Sequence, residues 1–266
     1  AAVSMLDKDR VYRLWQDRPT KDELLRAESP ADFFARLVFP DGLSYGQAPV
    51  WIDHTPINLD DFAVLRAAFP AARFVSLVRD GRGVYSSVRN LEWGPNNPIY
   101  AAAWWASRSA PGLAASLTFP EACMTVRYED LVRGDLTVWT NLLRFVSGDS
   151  EVLVSRDDLG AESGFDVPGY TRHQHQLVGT APSATRAESW RKDLSPREIE
   201  IFELGAGALL DTLGYARDYP FPKVATRGEK IRMGEWPVRI SMQPMTKWKL
   251  ARRWSKVEAP RKGQWT

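Results

Sequence analysis

Residues 73–87 read Arg73-Phe74-Val75-Ser76-Leu77-Val78-Arg79-Asp80-Gly81-Arg82-Gly83-Val84-Tyr85-Ser86-Ser87. Arg73 to Val78 is a near-continuous apolar run of the kind buried in a parallel sheet. Arg79 to Gly83 is a turn with two glycines, and helical spacing of apolar residues resumes from Val84 to Leu91. A strand, a glycine-bearing turn and a helix in that order present a helix N terminus to an anion, with unused N–H groups and a favourable dipole. Arg79 at the strand end adds a guanidinium fork. If the turn folds back, the Ser87 hydroxyl faces the same anion. The same residues also fit a plainer arrangement, in which Arg79 pairs with Asp80 or Asp130 and Ser87 is a surface helix residue.

Outward from this unit, the spacing predicts helices over Lys21–Leu25 and Pro30–Phe39, the latter stopped by Pro40-Asp41-Gly42. Val50-Trp51-Ile52 reads as a short buried strand. A helix with acids in its first turn starts at Leu59-Asp60-Asp61 and ends at Phe69-Pro70. Ile99–Leu117 is a long Ala-rich helix, interrupted at Pro111-Gly112, in which Trp104 and Trp105 read as core. Cys123–Arg127 is a second buried strand, left by Tyr128-Glu129-Asp130-Leu131. Leu136–Val146 is amphipathic, and residues 147–185 read as a long loop. Ser195-Pro196-Arg197-Glu198 carries N-cap, N1 and N3 signals for a helix reaching Leu213 and stopping at Gly214. Strands alternating with helices define an α/β domain with a mostly parallel sheet. Ligands of such sheets bind beyond the carboxyl ends of the strands, which selects Asp53-His54, Arg79–Gly83 and Tyr128–Asp130.

The chain has 266 residues, of which 44% are hydrophobic and 26% charged, a globular balance that excludes wholesale disorder. It holds no apolar run of transmembrane length. The single cysteine, Cys123, excludes an internal disulfide and no Cys/His spacing suggests zinc, so no metal and a cytoplasmic, reducing setting are expected. The formal net charge is +2, yet residues 221–266 carry twelve Lys/Arg against three acids, a net of +9 that leaves −7 for the rest. Residues 1–220 therefore read as one domain and 221–266 as a basic extension containing Trp236, Trp248, Trp254 and Trp265. That extension suits either weak contact with an anionic surface or loose packing on its own acidic domain.

The strand-turn-helix, with Phe69-Pro70-Ala71-Ala72 before it, resembles the 3′-phosphate-binding segment of sulfotransferases, and most closely the bacterial group related to tyrosylprotein sulfotransferases. Trp51-Ile52-Asp53-His54-Thr55-Pro56 resembles the family's strand ending in Lys-x-Pro. Tyr128-Glu129-Asp130-Leu131 resembles its Tyr-Glu-Asp-Leu strand exit, and Arg186-Ala-Glu-Ser-Trp190 through Pro196 its C-terminal closing segment. The resemblance covers roughly residues 50–216 and implies a P-loop-like parallel sheet flanked by helices. It also implies transfer of a sulfuryl group from 3′-phosphoadenosine 5′-phosphosulfate (PAPS) to a hydroxyl or amine on a small-molecule, carbohydrate or peptide acceptor. Nucleic acid is not an expected partner. By the same resemblance Arg79 and Ser87 hold the 3′-phosphate, while Tyr128, Arg186 and Trp190 help build the nucleotide site. Trp93 and Asn96 fall on the acceptor side, although Trp93-Gly94-Pro95-Asn96-Asn97-Pro98 also reads as a rigid turn packed by its Trp.

Two departures shape the expectation. Nothing reads like the Pro-Arg-Ser-Gly-Thr-Thr loop that cradles the 5′-phosphosulfate, and no Gly-x4-Gly-Lys-Ser/Thr is present. This implies an N-terminally truncated domain or a natural shortened pseudoenzyme. The alternative function is then a non-catalytic module that binds a nucleotide weakly or acts through its basic tail. Loss of the family's first strand would bare apolar sheet faces that self-association covers, so a homo-oligomer is expected. His54 stands where the family has Lys. An imidazole there either donates to the bridging oxygen of the phosphosulfate or accepts the acceptor's proton, and a local backbone cap is the plainer alternative.

Overall fold

The computed structural model describes residues 20–38, 52–55, 57–91, 94–160, 187–232 and 248. These divide between two compact units, the first holding the residues up to Ala72 together with Trp248 and the second running from Arg73 to Lys247.

In the first unit, α1 (Lys21–Leu25) starts from a capping box: Glu23 N donates to Thr20 Oγ1 and Thr20 N donates to Glu23 Oε2. Pro30 opens α2 (Pro30–Val38), where Asp32 pairs with Arg36 one turn on at 3.0 Å. Leu24, Ala31 and Ala35 are buried, and Phe34 meets Phe69 edge-on with centroids 6.0 Å apart. The expected helix from Leu59 divides into a 3-10 turn (Asn58–Asp61) and α3 (Phe62–Ala68). Val50 and Trp51 lie outside the described residues. Ile52 corrects the expectation of a buried strand, because it is irregular and 74% exposed. The reason is local: Asp53 Oδ1 accepts from both Thr55 N (2.9 Å) and Thr55 Oγ1 (2.7 Å), a turn that bends the chain just after Ile52.

In the second unit, β1 (Phe74–Val78) and β2 (Cys123–Arg127) form a parallel ladder, in register from Phe74 opposite Cys123 to Val78 opposite Arg127. Two helices make the crossover, α4 (Gly81–Val88) and α5 (Pro98–Thr118). The chain leaves β2 through α6 (Tyr128–Val132), continues into α7 (Leu136–Ser147) and passes a 3-10 turn (Asp157–Gly160). After α8 (Trp190–Asp193), the helix α9 (Pro196–Thr212) carries the capping box predicted for Ser195 and Glu198. A last short helix, α10, spans Arg227–Arg232.

Helix α5 corrects a second expectation, since it runs unbroken through Pro111. A proline in a helix interior removes one hydrogen bond and costs about 3 kcal/mol. Burial of Ala101, Ala102, Trp105, Ser109, Gly112 and Ala115 along one face offsets that cost. This face packs on α9, and Trp105, Phe202, Ala206 and Leu210 join Val78 and Tyr85 in the core. Gly81 is required for that packing: a Cβ there would sit 2.5 Å from Trp105 Cδ2 and 2.6 Å from Phe202 Cζ. Residues 223–229 are tied to α9 by Arg197, which pairs with Glu229 at 2.8 Å and donates to the carbonyls of Lys223 and Val224.

Two outcomes follow from this packing. Gly81→Ala is expected to cost about 1–3 kcal/mol by overpacking, read as a lowered denaturant midpoint. Cys123 is 1% exposed, and burial pushes its thiol up to about 11. The native chain should therefore resist a thiol-specific reagent at about pH 8 and react stoichiometrically once unfolded.

Candidate functional site

The turn between β1 and α4 is built from charges of two kinds, one set buried and one reaching the surface. Asp80 is the N-cap of α4, its side chain accepting from Arg82 N at 2.9 Å. The Asp80 carboxylate also takes Arg82 Nε (2.9 Å) and Nη2 (2.7 Å) in a fork. Arg82 then reaches Glu203 of α9 at 2.5 Å and the Ala216 carbonyl at 3.0 Å, with 2% of its surface exposed. Its guanidinium lies 4.1 Å from the centre of the Trp190 ring. Burial works against the charge of Arg82, but hydrogen bonds and charge from Asp80 and then Glu203 together raise its affinity for the proton. Arg82 is thereby consumed internally.

Arg79, three residues earlier, is placed differently. Its Nη1 donates to Ser87 Oγ at 3.3 Å, and its guanidinium stands 5.0 Å from the centre of the Tyr128 ring. The Ser87 hydroxyl donates to the Gly83 carbonyl at 2.9 Å. A Cβ on Gly83 would lie 3.3 Å from Arg79 Nε and 3.4 Å from Trp190 Cδ1, so this glycine lets the guanidinium lie against the helix start. Asp80 is occupied by Arg82, and Asp130 pairs with Arg127 and Arg133, each at 3.7 Å. Arg79, Ser87, Tyr128 and Trp190 thus converge on the first turn of α4. Trp190 is 1% exposed and held between Arg82 and Arg191, so it underlies the turn and does not face solvent.

The other candidates are placed less closely. His54 belongs to the first unit, in an exposed irregular stretch. Its neighbour Asp53 is committed to Thr55. Burial works against the Asp53 carboxylate, but hydrogen bonds from Thr55 and Asn58 and the nearby His54 charge bring its pKa below the usual value. Asn96 is exposed just before Asn97, which caps α5 by accepting from Tyr100 N at 2.9 Å. Trp93 and Arg186 lie outside the described residues. Among the described residues, no group of His, Cys, Asp and Glu is arranged to hold a metal ion, and no helix is long and apolar enough to cross a membrane.

Three contributors were given no individual role by the sequence reading: Gly83 and Glu129, inside the stretches it selected, and Trp105, which it read as core. Glu129 is 3% exposed, accepting from Asp80 N (3.0 Å) and Tyr215 Oη (2.8 Å). Burial and the Glu129 charge push the Tyr215 phenol well above its ordinary value, which keeps it a donor. Trp105 Nε1 donates to the Arg79 carbonyl at 3.1 Å. The glycine in the turn and the Glu of Tyr128-Glu129-Asp130-Leu131 were the available signals, whereas nothing in the sequence marks the indole N–H.

A family model described as "Sulfotransferase family" matches residues 9–149, more than half of the chain, and this span contains the whole Arg79–Ser87–Tyr128 arrangement. The chain belongs to the sulfotransferase family, whose chemistry is sulfuryl transfer. No curated protein and no solved structure matches it at a significant level.

The far end of α4 yields a pH prediction. Glu198 accepts from Tyr85 Oη (3.1 Å), Arg89 (3.3 Å) and Ser195 N (2.9 Å). Burial opposes its charge, but the bonds from Ser195 and Tyr85 and the Arg89 charge hold its carboxyl below the ordinary 4.5. A lowered pKa in the fold stabilises above the unfolded value, and that contribution is lost as pH falls through it. Thermal midpoints should drop more steeply below about pH 5 in the wild type than in Glu198→Gln.

Proposed function

We propose that this chain binds PAPS and transfers its sulfuryl group to a hydroxyl or amine acceptor, as the motif spacing nearest the tyrosylprotein-like bacterial group implies. The supporting observation is the convergence of the Arg79 guanidinium and the Ser87 hydroxyl over the first turn of α4, with the Tyr128 ring beside them. The residues fit a phosphate monoester. A guanidinium, a rotatable hydroxyl and the N–H groups of a helix start are donors only or can become so. The bare Cα of Gly83 keeps the approach open.

Bound PAPS supplies an activated sulfuryl group on a phosphosulfate anhydride. Arg79 and Ser87 hold the 3′-phosphate, and Tyr128 flanks the nucleotide. Trp190 stiffens the turn from below, and Arg186 adds a contact to the same phosphate. By the resemblance alone, His54 takes the family's lysine role, as a donor to the bridging oxygen where charge grows or as the base that takes the acceptor's proton. By the resemblance, Trp93 and Asn96 belong to the acceptor side, with a small-molecule, carbohydrate or peptide acceptor. Fixed cations and N–H donors carry the developing charge in this scheme, so it assigns no role to a metal.

Calorimetry with adenosine 3′,5′-bisphosphate tests the nucleotide site directly. Arg79→Ala is expected to weaken binding by about a hundredfold or more, and Ser87→Ala by about tenfold. Transfer of label from sulfur-labelled PAPS to an added acceptor then tests catalysis. Binding unaffected by Arg79→Ala would overturn the site, and binding without transfer to any acceptor class would leave a nucleotide-binding module.

A further inference from the structure

We infer that Glu129 and Trp105 are positioning residues for nucleotide binding: they grip the peptide unit between Arg79 and Asp80 by both of its polar ends. This rests on the proposed nucleotide site. The Asp80 N–H donates to Glu129 Oε1 at 3.0 Å, and the Arg79 carbonyl accepts from Trp105 Nε1 at 3.1 Å. These are the two polar groups of a single amide plane.

The plane has a special position. The ladder of β1 ends at Val78 and α4 begins at Gly81, with the Asp80 carbonyl accepting the helix's first bond from Val84 N at 2.9 Å, so the Arg79 carbonyl and the Asp80 N–H are left between the two repeating patterns. Buried backbone groups must find partners elsewhere. The partners come from distant parts of the chain, one from α5 and one from the exit of β2. Each is itself immobilised. Glu129 is 3% exposed and its second oxygen is held by Tyr215, while Trp105 is 3% exposed and packed against Gly81 and Phe202.

Fixing this plane fixes the backbone dihedral that follows the Arg79 Cα, and with it the direction in which the guanidinium leaves the chain. Loss of either bond leaves β1 and α4 able to form, but lets the plane turn and carries Arg79 away from Ser87. Neither residue touches the nucleotide in this scheme. Both act through Arg79.

A double-mutant cycle separates this from simple structural support. Trp105→Phe keeps an aromatic ring against Gly81 and removes the N–H. It is expected to weaken adenosine 3′,5′-bisphosphate binding by about tenfold in calorimetry. In an Arg79→Lys chain, whose guanidinium fork is already gone, the same change should add less than about twofold. Glu129→Leu should mimic Trp105→Phe. Glu129→Gln, which keeps the accepting oxygen, should restore most of the lost affinity. Equal losses in the wild-type and Arg79→Lys backgrounds, or an undiminished affinity in folded Trp105→Phe, would overturn the inference and leave the nucleotide site standing. If Glu129→Leu does not fold, the Trp105 cycle decides alone. No binding by the wild-type chain overturns the nucleotide site, and this inference with it.

Discussion

The buried guanidinium of Arg82 is the constraint around which the second unit is organised. A charge taken from water costs several kcal/mol unless it is paired and hydrogen-bonded. Arg82 meets that demand with the Asp80 fork, the Glu203 carboxylate, the Ala216 carbonyl and the Trp190 face. Each partner comes from a different place in the chain, so satisfying one side chain fixes four segments. Helix α9 must cross the start of α4 for Glu203 to reach Arg82. That crossing brings Phe202 against position 81, where only glycine fits. Replacing such a cluster with apolar residues is often neutral or stabilising. Its value here lies in orientation more than in stability.

That orientation divides the labour between two arginines three residues apart. Arg82 is spent on the fold, and so neutralises the Asp80 carboxylate that would otherwise compete for Arg79. Arg79 is turned to the Ser87 side of the helix start and backed by Tyr128. Two neighbouring arginines thus take different places, one bound to the Asp80 and Glu203 carboxylates and the other donating to Ser87.

Much of this was legible in the sequence. The apolar run before Arg79 and the Cys123–Arg127 run located the two strands, because neither carries a helical period, but the first is not buried throughout, with Leu77 58% exposed. The Ser195-Pro196-Arg197-Glu198 start gave α9, because a capping box is a local device that the sequence spells out. Arg79 and Ser87 do meet, but not through the expected turn at two glycines: Gly81 and Gly83 are already in α4, which starts two residues after Arg79. What stayed hidden depends on distant partners. Pro111 looked like a break because the burial that carries α5 past it involves α9, nearly a hundred residues on. Ile52 looked buried because the periodicity of three residues cannot register the Asp53 turn that follows. The pairing of Arg82 with Glu203 spans 121 positions, and no local pattern says which of two neighbouring arginines will find it.

The chain beyond α9 belongs to the same foundation. Glu203 accepts not only Arg82 but also the backbone N–H groups of Asp218 (3.0 Å) and Tyr219 (2.7 Å), while Asp218 pairs with Arg191. Arg191 lies 4.3 Å from the centre of the Trp190 ring, which Arg82 approaches at 4.1 Å. The returning segment at 216–219 thus closes the buried cluster from outside, supplying donors that a lone Arg–Glu pair would lack. Without those donors the Glu203 carboxylate would be under-satisfied at 1% exposure. Trp190 thus has two guanidiniums against its ring, and that of Arg82 also holds Asp80, the N-cap of α4. The geometry at Arg79 is therefore set in part from the C-terminal side of α9, by residues far from it in sequence.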